Sequence, residues 1–183
     1  MISAIILAAG QSKRMGQPKM LLPWGKMTVI EQVITTFLSA GLKDILIVTG
    51  GAEEEVLKAV SGYPVRQIRN PDYATGEMLS SLQCGIRTMS ARTQATLIGL
   101  GDQPQIQEGS VRAICDVYRS SKSELIVPSF QMKRGHPWLV ARPLWDEMLA
   151  IEPPETLRDF LNRHADAIQY VKLDTPTILA DLD

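Results

Sequence analysis

Ile5–Lys19 reads Ile-Ile-Leu-Ala-Ala-Gly-Gln-Ser-Lys-Arg-Met-Gly-Gln-Pro-Lys. The apolar run Ile2–Ala9, with its β-branched residues, predicts a buried strand. Two alanines and a glycine end that run, so the backbone can turn sharply and approach a ligand closely. Lys13, Arg14 and Lys19 then place three cations within seven positions, with no carboxylate between them. Open backbone amides together with these cations suit a bound polyphosphate.

The same residues also have a plainer interpretation. Small residues after a strand are common in turns, and exposed Lys and Arg usually solvate a surface, so the cations alone favour an ordinary loop. The stretch also departs from two well-known phosphate-binding patterns. It is not G-x-x-x-x-G-K-[ST], because Gly10 and Gly16 are one residue too far apart and Gln17 follows. It is not G-x-G-x-x-G, because Ser12 stands at the second glycine.

The stretch does resemble the opening signature of the nucleotidyltransferases that join an NTP to a phosphorylated acceptor and release pyrophosphate. That signature reads L-A-A/G-G-x-x-x-R-M-G-x-x-K, and Leu7-Ala8-Ala9-Gly10, Arg14-Met15-Gly16 and Lys19 match it throughout. Within this family the chain is most similar to the molybdenum cofactor cytidylyltransferases. The resemblance implies a nucleotide-binding set made of Leu7, Ala8, Ala9, Gly10, Lys13, Arg14 and Lys19.

Composition narrows the class of protein. A chain of 183 residues, with 45% apolar and 21% charged residues, predicts one globular domain over residues 1–183. The net charge of −1 argues against general nucleic-acid binding. Cys84 and Cys115 lack metal-site spacing and fall in helical patterns, which favours packing roles. Neither a membrane-length apolar run nor a basic leader is present, so a cytoplasmic enzyme is expected.

Apolar strands alternate with amphipathic helices along the chain. Thr28 and Glu31 predict a capping box for a helix over Val29–Ala40. The alternation predicts a three-layer α/β sandwich with a mostly parallel, Rossmann-like sheet. The family resemblance implies the nucleotide-diphospho-sugar transferase type of this fold. Over Ser129–Val140 short extended pieces replace the alternation of strands and helices, which predicts a small hairpin excursion. The abrupt acidic end suggests a truncated or short C-terminus.

Asp102 is the strongest candidate for a metal ligand. The strand Ala95–Leu100 delivers it to the carboxyl edge of the sheet, where the first-strand loop also opens and where ligands bind in such folds. Mg²⁺ prefers one or two carboxylates together with phosphate oxygens. Asp before Pro is also common as a simple turn residue. Gly101-Asp102-x-Pro104 resembles the metal-binding turn of the family, and the acidic family end aligns best with Asp181 and Asp183, less well with Asp174.

Two further segments resemble family motifs. Asn70–Leu82 matches a segment that lies by the nucleotide base and sugar in relatives, which implies roles for Gly76, Ser80 and Ser81. From composition alone this segment is an ordinary capped helix. The second segment resembles the Gly-His-Pro motif that borders the acceptor pocket, which implies acceptor binding by Arg134, Gly135 and His136. A structural role for the histidine is equally compatible with the sequence.

Together, these residues and the family resemblance imply nucleotidyl transfer with Arg14, Lys19 and Asp102 in catalytic roles and Mg²⁺ on Asp102 and Asp181. The resemblance further implies CTP as donor and molybdenum-bound molybdopterin as acceptor. Ala8-Ala9 follows the family members that use CTP, whereas Ala-Gly is typical of those that use GTP. A guanylyltransferase, a cytidylyltransferase for another phosphorylated acceptor, and a non-catalytic nucleotide-binding chaperone or sensor remain alternatives. Delivery of the product implies a molybdoenzyme or its chaperone as a protein partner. An ordinary Rossmann oxidoreductase lacks its glycine fingerprint here.

Overall fold

The computed structural model describes residues 1–10 and 18–180, apart from the side chain of Glu77. The strands are β1 (Ile2–Ala8), β2 (Pro23–Trp24), β3 (Met27–Thr28), β4 (Ile45–Thr49), β5 (Arg66–Arg69), β6 (Ala95–Leu100), β7 (Leu125–Phe130), β8 (Lys133–Arg134), β9 (Trp138–Ala141) and β10 (Gln169–Lys172). The α-helices are α1 (Val29–Ser39), α2 (Glu53–Val60), α3 (Glu77–Thr88), α4 (Glu108–Ser121), α5 (Trp145–Ala150) and α6 (Leu157–Arg163). Short 3-10 helices cover Lys19–Leu21, Arg142–Leu144, Ala165–Ala167 and Pro176–Ile178.

The central sheet runs in the order β10-β7-β9-β6-β1-β4-β5, with β8 paired to β7. β1 pairs in parallel with β4 and with β6, and the β4–β5 and β7–β10 pairs are parallel as well. β9 lies between β6 and β7 and is antiparallel to both. The predicted mostly parallel sheet is confirmed. The expected excursion consists of the β7–β8 hairpin, and the chain then re-enters the sheet as β9 instead of staying outside it.

Helices cover both faces of the sheet, which makes the predicted three layers. Successive residues of β1 point to opposite faces, as in any strand. Ile6 therefore packs with the buried residues of α1, α2 and α4, whereas Ile5 packs with those of α3, α5 and α6. Burial on both faces explains why β1 is an unbroken apolar run.

The first helix begins and ends as the sequence predicts. The Thr28 amide donates to Glu31 Oε2 at 2.7 Å, and the Glu31 amide donates to Thr28 Oγ1 at 3.5 Å. These reciprocal bonds satisfy two amides that have no partner within α1. Gly41 follows the helix with φ +93°, a left-handed conformation that favours glycine.

Two other expectations concern membranes and cysteines. Among the helices of residues 1–10 and 18–180, none has the length and apolar character needed to cross a lipid bilayer. Both cysteines are free thiols. Cys115 is buried, and burial raises its pKa to about 11, in keeping with a packing role. Cys84 is only half-buried, and burial raises its pKa as well.

Candidate active site

The turn after β6 lies directly beside the end of β1. The Gly101 amide donates a hydrogen bond to the Leu7 carbonyl oxygen at 2.9 Å. A Cβ on Gly101 would lie 3.0 Å from that oxygen, so a larger residue would push the two strand ends slightly apart. Asp102 follows at once and is half-buried. The structure therefore brings Asp102 to the loop that follows β1, as the strand pattern predicts.

This position is the point at which the strand order reverses. From β1 the chain builds β4 and β5 on one side, then returns to place β6 on the other side. In open α/β sheets the crevice at such a point, beyond the carboxyl ends of the strands, is the usual ligand site. The first-strand loop and the turn after β6 both open into this region.

The first-strand loop is described only in part. Leu7 is half-buried, Ala8 and Ala9 are buried, and Gly10 is exposed with open space where a Cβ would be. The chain is described again from Pro18, and Lys19 begins the 3-10 helix Lys19–Leu21. The predicted phosphate-binding residues Lys13 and Arg14 lie outside the described residues.

Gly50, in the turn after β4, packs between the first-strand loop and the segment after β5. A Cβ on Gly50 would lie 2.6 Å from the Ala9 carbonyl oxygen and 2.8 Å from Tyr73 Cβ. Three turns that leave neighbouring strands thus pack against one another at the carboxyl edge. Their contact positions the Asn70–Gly76 segment beside the end of β1.

Asn70 organises the start of α3. It is 1% exposed, and its Nδ2 donates to Ser80 Oγ at 2.8 Å and to Ser81 Oγ at 3.0 Å. Its Oδ1 accepts from the Asp72 amide at 3.0 Å. Gly76 precedes the helix, and its carbonyl oxygen accepts from the Ser80 amide at 3.0 Å. The two serine hydroxyls named by the sequence are therefore held in place by Asn70, a role that sequence reasoning missed.

The Gly-His-Pro turn lies at the same edge of the sheet, but it precedes its strand, β9, instead of following it. Because β9 is antiparallel to β6, with Trp138 opposite Ile98, the residues before β9 lie toward the carboxyl end of β6. The His136 ring stacks on Trp138 with 4.5 Å between ring centres. Burial lowers the pKa of His136 to about 4, so the ring is neutral near pH 7. Its Nε2 is buried and has no hydrogen-bond partner in the described structure.

Gly135 and Arg134 have different surroundings. A Cβ on Gly135 would lie 2.4 Å from the Ile178 carbonyl oxygen, so the C-terminal segment packs directly on this turn. Arg134 Nε donates to Tyr170 Oη at 2.9 Å, and its Nη1 donates to Asn162 Oδ1 at 3.1 Å. These bonds hold the guanidinium against α6 and β10, and β7 and β9 separate β10 from β6.

Gln103 is a second residue that sequence reasoning missed. It follows Asp102 and is only 3% exposed. Its Oε1 is buried and has no hydrogen-bond partner among residues 1–10 and 18–180. A buried amide oxygen without a hydrogen-bond partner is unusual, since buried polar atoms are normally paired. The only signal in the sequence is its place in the turn between Asp102 and Pro104.

The C-terminal segment contacts the Gly-His-Pro turn and the turn after β6. The His136 amide donates to the Ile178 carbonyl oxygen at 2.9 Å, and Gln105 Nε2 bonds the Ala180 carbonyl oxygen. Asp181, the predicted second metal ligand, lies outside the described residues. Within the described part of the chain, no three His, Cys, Asp or Glu side chains cluster in a way that could hold a metal ion. Asp102 is the described carboxylate in the turn after β6, while Asp72 lies in the turn after β5 and Glu53 bonds Thr49 at the end of β4.

Residues 4–168 match the MobA-like NTP transferase domain. The chain belongs to this family. The matched range contains every described site residue from Leu7 to His136. This MobA-like protein is a nucleotidyltransferase, as its opening signature predicts.

Two curated relatives have different names. The molybdenum cofactor cytidylyltransferase of Escherichia coli (strain K12) is 33% identical over 154 residues, which cover 84% of this chain and 76% of the relative. The nicotine blue oxidoreductase of Paenarthrobacter nicotinovorans is 30% identical over 146 residues, covering 76% of this chain and 70% of the relative. The chain is therefore similar to curated proteins with more than one named activity.

Solved structures confirm the fold. Rv0371c from Mycobacterium tuberculosis H37Rv superposes with a TM-score of 0.86 at 26% identity, covering 100% of this chain and 92% of that chain. A second structure of Rv0371c, in complex with manganese, has a TM-score of 0.78 at 24% identity and covers 95% of this chain and 88% of that chain. The mixed, mostly parallel sheet flanked by helices is thus the fold of this MobA-like protein and of its structural neighbours.

Proposed function

We propose that the protein transfers CMP from CTP to the phosphate of molybdenum-bound molybdopterin and releases pyrophosphate. The name of the Escherichia coli relative, at 33% identity, supports this acceptor and this nucleotide. Ala8-Ala9 in the opening loop supports CTP over GTP, because it resembles the loop of family members that use CTP. The observation that carries most weight is the 2.9 Å bond from the Gly101 amide to the Leu7 carbonyl oxygen, which seats Asp102 beside the first-strand loop.

The reaction needs position and charge more than a protein nucleophile. A phosphate oxygen of the acceptor bonds to the α-phosphorus of CTP, the bond from that phosphorus to the bridging oxygen breaks, and the electron pair leaves with pyrophosphate. In our proposal Lys19 and Arg14, with Lys13, offset the negative charge that collects on the leaving group. The loop Leu7–Gly10 lines the triphosphate with its backbone, and alignment of the two phosphates supplies much of the rate.

The residues fit a magnesium ion. Asp102 is a half-buried carboxylate at the strand-order reversal, and Mg²⁺ takes one or two carboxylates along with phosphate oxygens. We assign Asp102 as one ligand and Asp181 as the other. Support for Asp181 comes from its neighbour Ala180, whose carbonyl oxygen is bonded by Gln105, three residues after Asp102. One structure of Rv0371c is a complex with manganese, which supports the use of a divalent ion. When bound, the ion supplies charge neutralisation between nucleotide and acceptor.

The segment at the start of α3 and the Gly-His-Pro turn are assigned to different substrates. Gly76, Ser80 and Ser81 are assigned to the base and sugar of the nucleotide, since Asn70 anchors this segment beside the end of β1. Gly135 and His136 are assigned to the acceptor, because they approach the carboxyl edge through β9. Arg134 is assigned to the acceptor phosphate. To bind it, the guanidinium would replace its bonds to Tyr170 and Asn162 with bonds to phosphate oxygens.

Turnover of purified protein tests these assignments. Pyrophosphate release is measured with CTP, GTP or ATP and molybdenum-loaded molybdopterin, and CTP is expected to be used best. Asp102→Ala is expected to lower turnover about 100- to 1000-fold, the size of a lost transition-state interaction. Asp116→Ala, which removes an exposed carboxylate from α4, is the matched control and should leave turnover unchanged. Full activity of Asp102→Ala would refute the metal assignment.

Other outcomes separate the alternatives. Activity with GTP alone would identify a guanylyltransferase and overturn the assignment of the base. Turnover of CTP with another phosphorylated acceptor but not with molybdopterin would overturn the acceptor. Tight CTP binding without pyrophosphate release for any acceptor would indicate a nucleotide-binding chaperone or sensor.

One observation favours a second candidate function. The relative from Paenarthrobacter nicotinovorans, at 30% identity over 76% of this chain, is named nicotine blue oxidoreductase. An oxidoreductase activity on nicotine blue is therefore tested by following the absorbance of the dye with a nicotinamide dinucleotide as reductant. Reduction of the dye without any pyrophosphate release would favour this activity over nucleotidyl transfer.

A further inference from the structure

Two buried polar atoms at the carboxyl edge have no hydrogen-bond partner in the described structure. They are Gln103 Oε1 and His136 Nε2. Leaving such an atom unpaired is costly, because its hydrogen bonds to water are lost on folding and not replaced. Each such atom in a folded protein therefore calls for an explanation, and a group that arrives with a ligand is one.

The two atoms belong to turns that meet the same segment of chain. Gln103 lies in the turn after β6, and His136 lies two residues before β9, which pairs with β6. The His136 amide bonds the Ile178 carbonyl oxygen at 2.9 Å, and Gln105, two residues after Gln103, bonds the Ala180 carbonyl oxygen. The segment over residues 176–180 thus ties both turns together beside Asp102.

The chemistry of Gln103 Oε1 argues against a fully ionised phosphate as its partner. An amide oxygen can only accept a hydrogen bond, and a fully ionised phosphate has no proton to donate. Burial lowers the pKa of His136 to about 4, so its ring brings no positive charge at neutral pH. Gln103 Oε1 therefore suits a neutral partner that carries N–H or O–H donors, such as the ring nitrogens or hydroxyls of a heterocycle, whereas the neutral His136 ring can donate or accept at Nε2.

We propose that Gln103 determines acceptor specificity, its Oε1 accepting a hydrogen bond from an N–H or O–H group in the uncharged part of the acceptor. This role rests on the function proposed above and extends it, since the acceptor phosphate is left to the cations of the site. His136 faces the same part of the acceptor with its neutral Nε2. The acceptor class is then a phosphorylated compound whose ring or side chain carries hydrogen-bond donors.

The test is the Gln103→Met variant of the full chain, which keeps the length of the side chain and removes the oxygen. The KM for the acceptor is expected to rise about tenfold, the effect of one lost hydrogen bond, while the KM for CTP stays unchanged. The thermal midpoint is expected to stay equal or to rise, because an unpaired buried oxygen has been removed. Gln107→Met makes the same exchange at an exposed position four residues on and should change nothing.

Further outcomes decide against the assignment. Equal KM values for the acceptor in wild type and Gln103→Met, or a parallel rise in both KM values with a lower thermal midpoint, would show that Gln103 is only a structural residue. If Gln103→Met does not fold, Gln103→Asn keeps the amide but withdraws its oxygen, and the same selective rise in acceptor KM is expected. Wild-type protein without turnover for any acceptor overturns the proposed function together with this role, whereas normal wild-type turnover with no selective effect overturns this role alone.

Discussion

The two edges of the central sheet carry charge in different ways. At the amino edge, where β1, β4 and β6 begin, a cavity of about 350 Å³ is lined by Lys43, Arg119 and Lys122, among others. Arg119 pairs with Asp116 at 2.6 Å, and Lys122 Nζ lies 5.3 Å from the ring centre of Tyr118. Helices α1 and α4 both end at this edge, and cations at helix C-termini offset the negative end of the helix dipole.

The carboxyl edge is built from close packing instead. The turns after β1, β4 and β5 touch through Gly50, and Gly101 bonds the end of β1. Gln103 and His136 leave buried polar atoms there without partners in the described structure. A group of cations is therefore a poor marker of a phosphate site on its own, since the amino edge has one that helix ends explain. The reversal of strand order is the better marker.

The largest expected difference between the edges is in catalysis. Lys19→Ala is expected to lower turnover about 100- to 1000-fold, because it removes a cation that we propose offsets charge on the leaving group. Lys43→Ala at the amino edge removes the same side chain and should leave turnover unchanged. Pyrophosphate release under saturating CTP measures both. Comparable losses in the two variants would erase the functional distinction between the edges.

The next effect concerns pH and stability. Burial lowers the pKa of His136 from 6.5 to about 4, so between these values the unfolded chain binds a proton that the folded chain does not. Stability due to this group is present above pH 6.5 and is lost as the pH falls toward 4, by at most about 3 kcal/mol. His136→Phe keeps a ring beside Trp138 and removes the titration. Urea unfolding from pH 7 to pH 4.5 should show a shallower decline for the variant, and parallel curves would contradict a buried neutral His136.

The smallest effect is expected from glycine substitutions. Gly50→Ala introduces a Cβ 2.6 Å from the Ala9 carbonyl oxygen, so the free energy of unfolding should fall by about 1–3 kcal/mol. Gly62 precedes β5 at the amino edge and has open space at its Cβ position, so Gly62→Ala should change stability by less than about 1 kcal/mol. Chemical denaturation of both variants gives the comparison. Equal stabilities would mean that the turns at the carboxyl edge can move apart without cost.

Local patterns in the sequence predict much of this fold. The capping box of Thr28 and Glu31 is found as expected, because it depends on residues three apart. The place of β9 could not be predicted, since a run of four apolar residues shows neither its pairing partner nor its direction. Its insertion between β6 and β7 follows from long-range pairing, with Trp138 opposite Ile98.

In the candidate site, too, some features follow from local sequence patterns and others do not. The position of Asp102 follows from a strand pattern, and the structure places it beside β1 as predicted. The hydrogen bonds from Asn70 to Ser80 and Ser81 cross a turn and a helix start, so no spacing rule indicates them. The partners of Arg134 also come from distant parts of the chain, α6 and β10. Side-chain partners of this kind are set by tertiary packing, which composition and periodicity do not contain.

The pairing of β1 with β6 has a consequence for biosynthesis. Ile2 lies opposite Ala95, and Ile98 lies opposite Trp138, so the nascent chain holds the first-strand loop long before the strands that complete the edge exist. At about 5–20 residues per second, the ribosome needs on the order of ten seconds to deliver them. During that interval β1 can pair with β4 but lacks β6, so one side of this apolar strand stays unpaired.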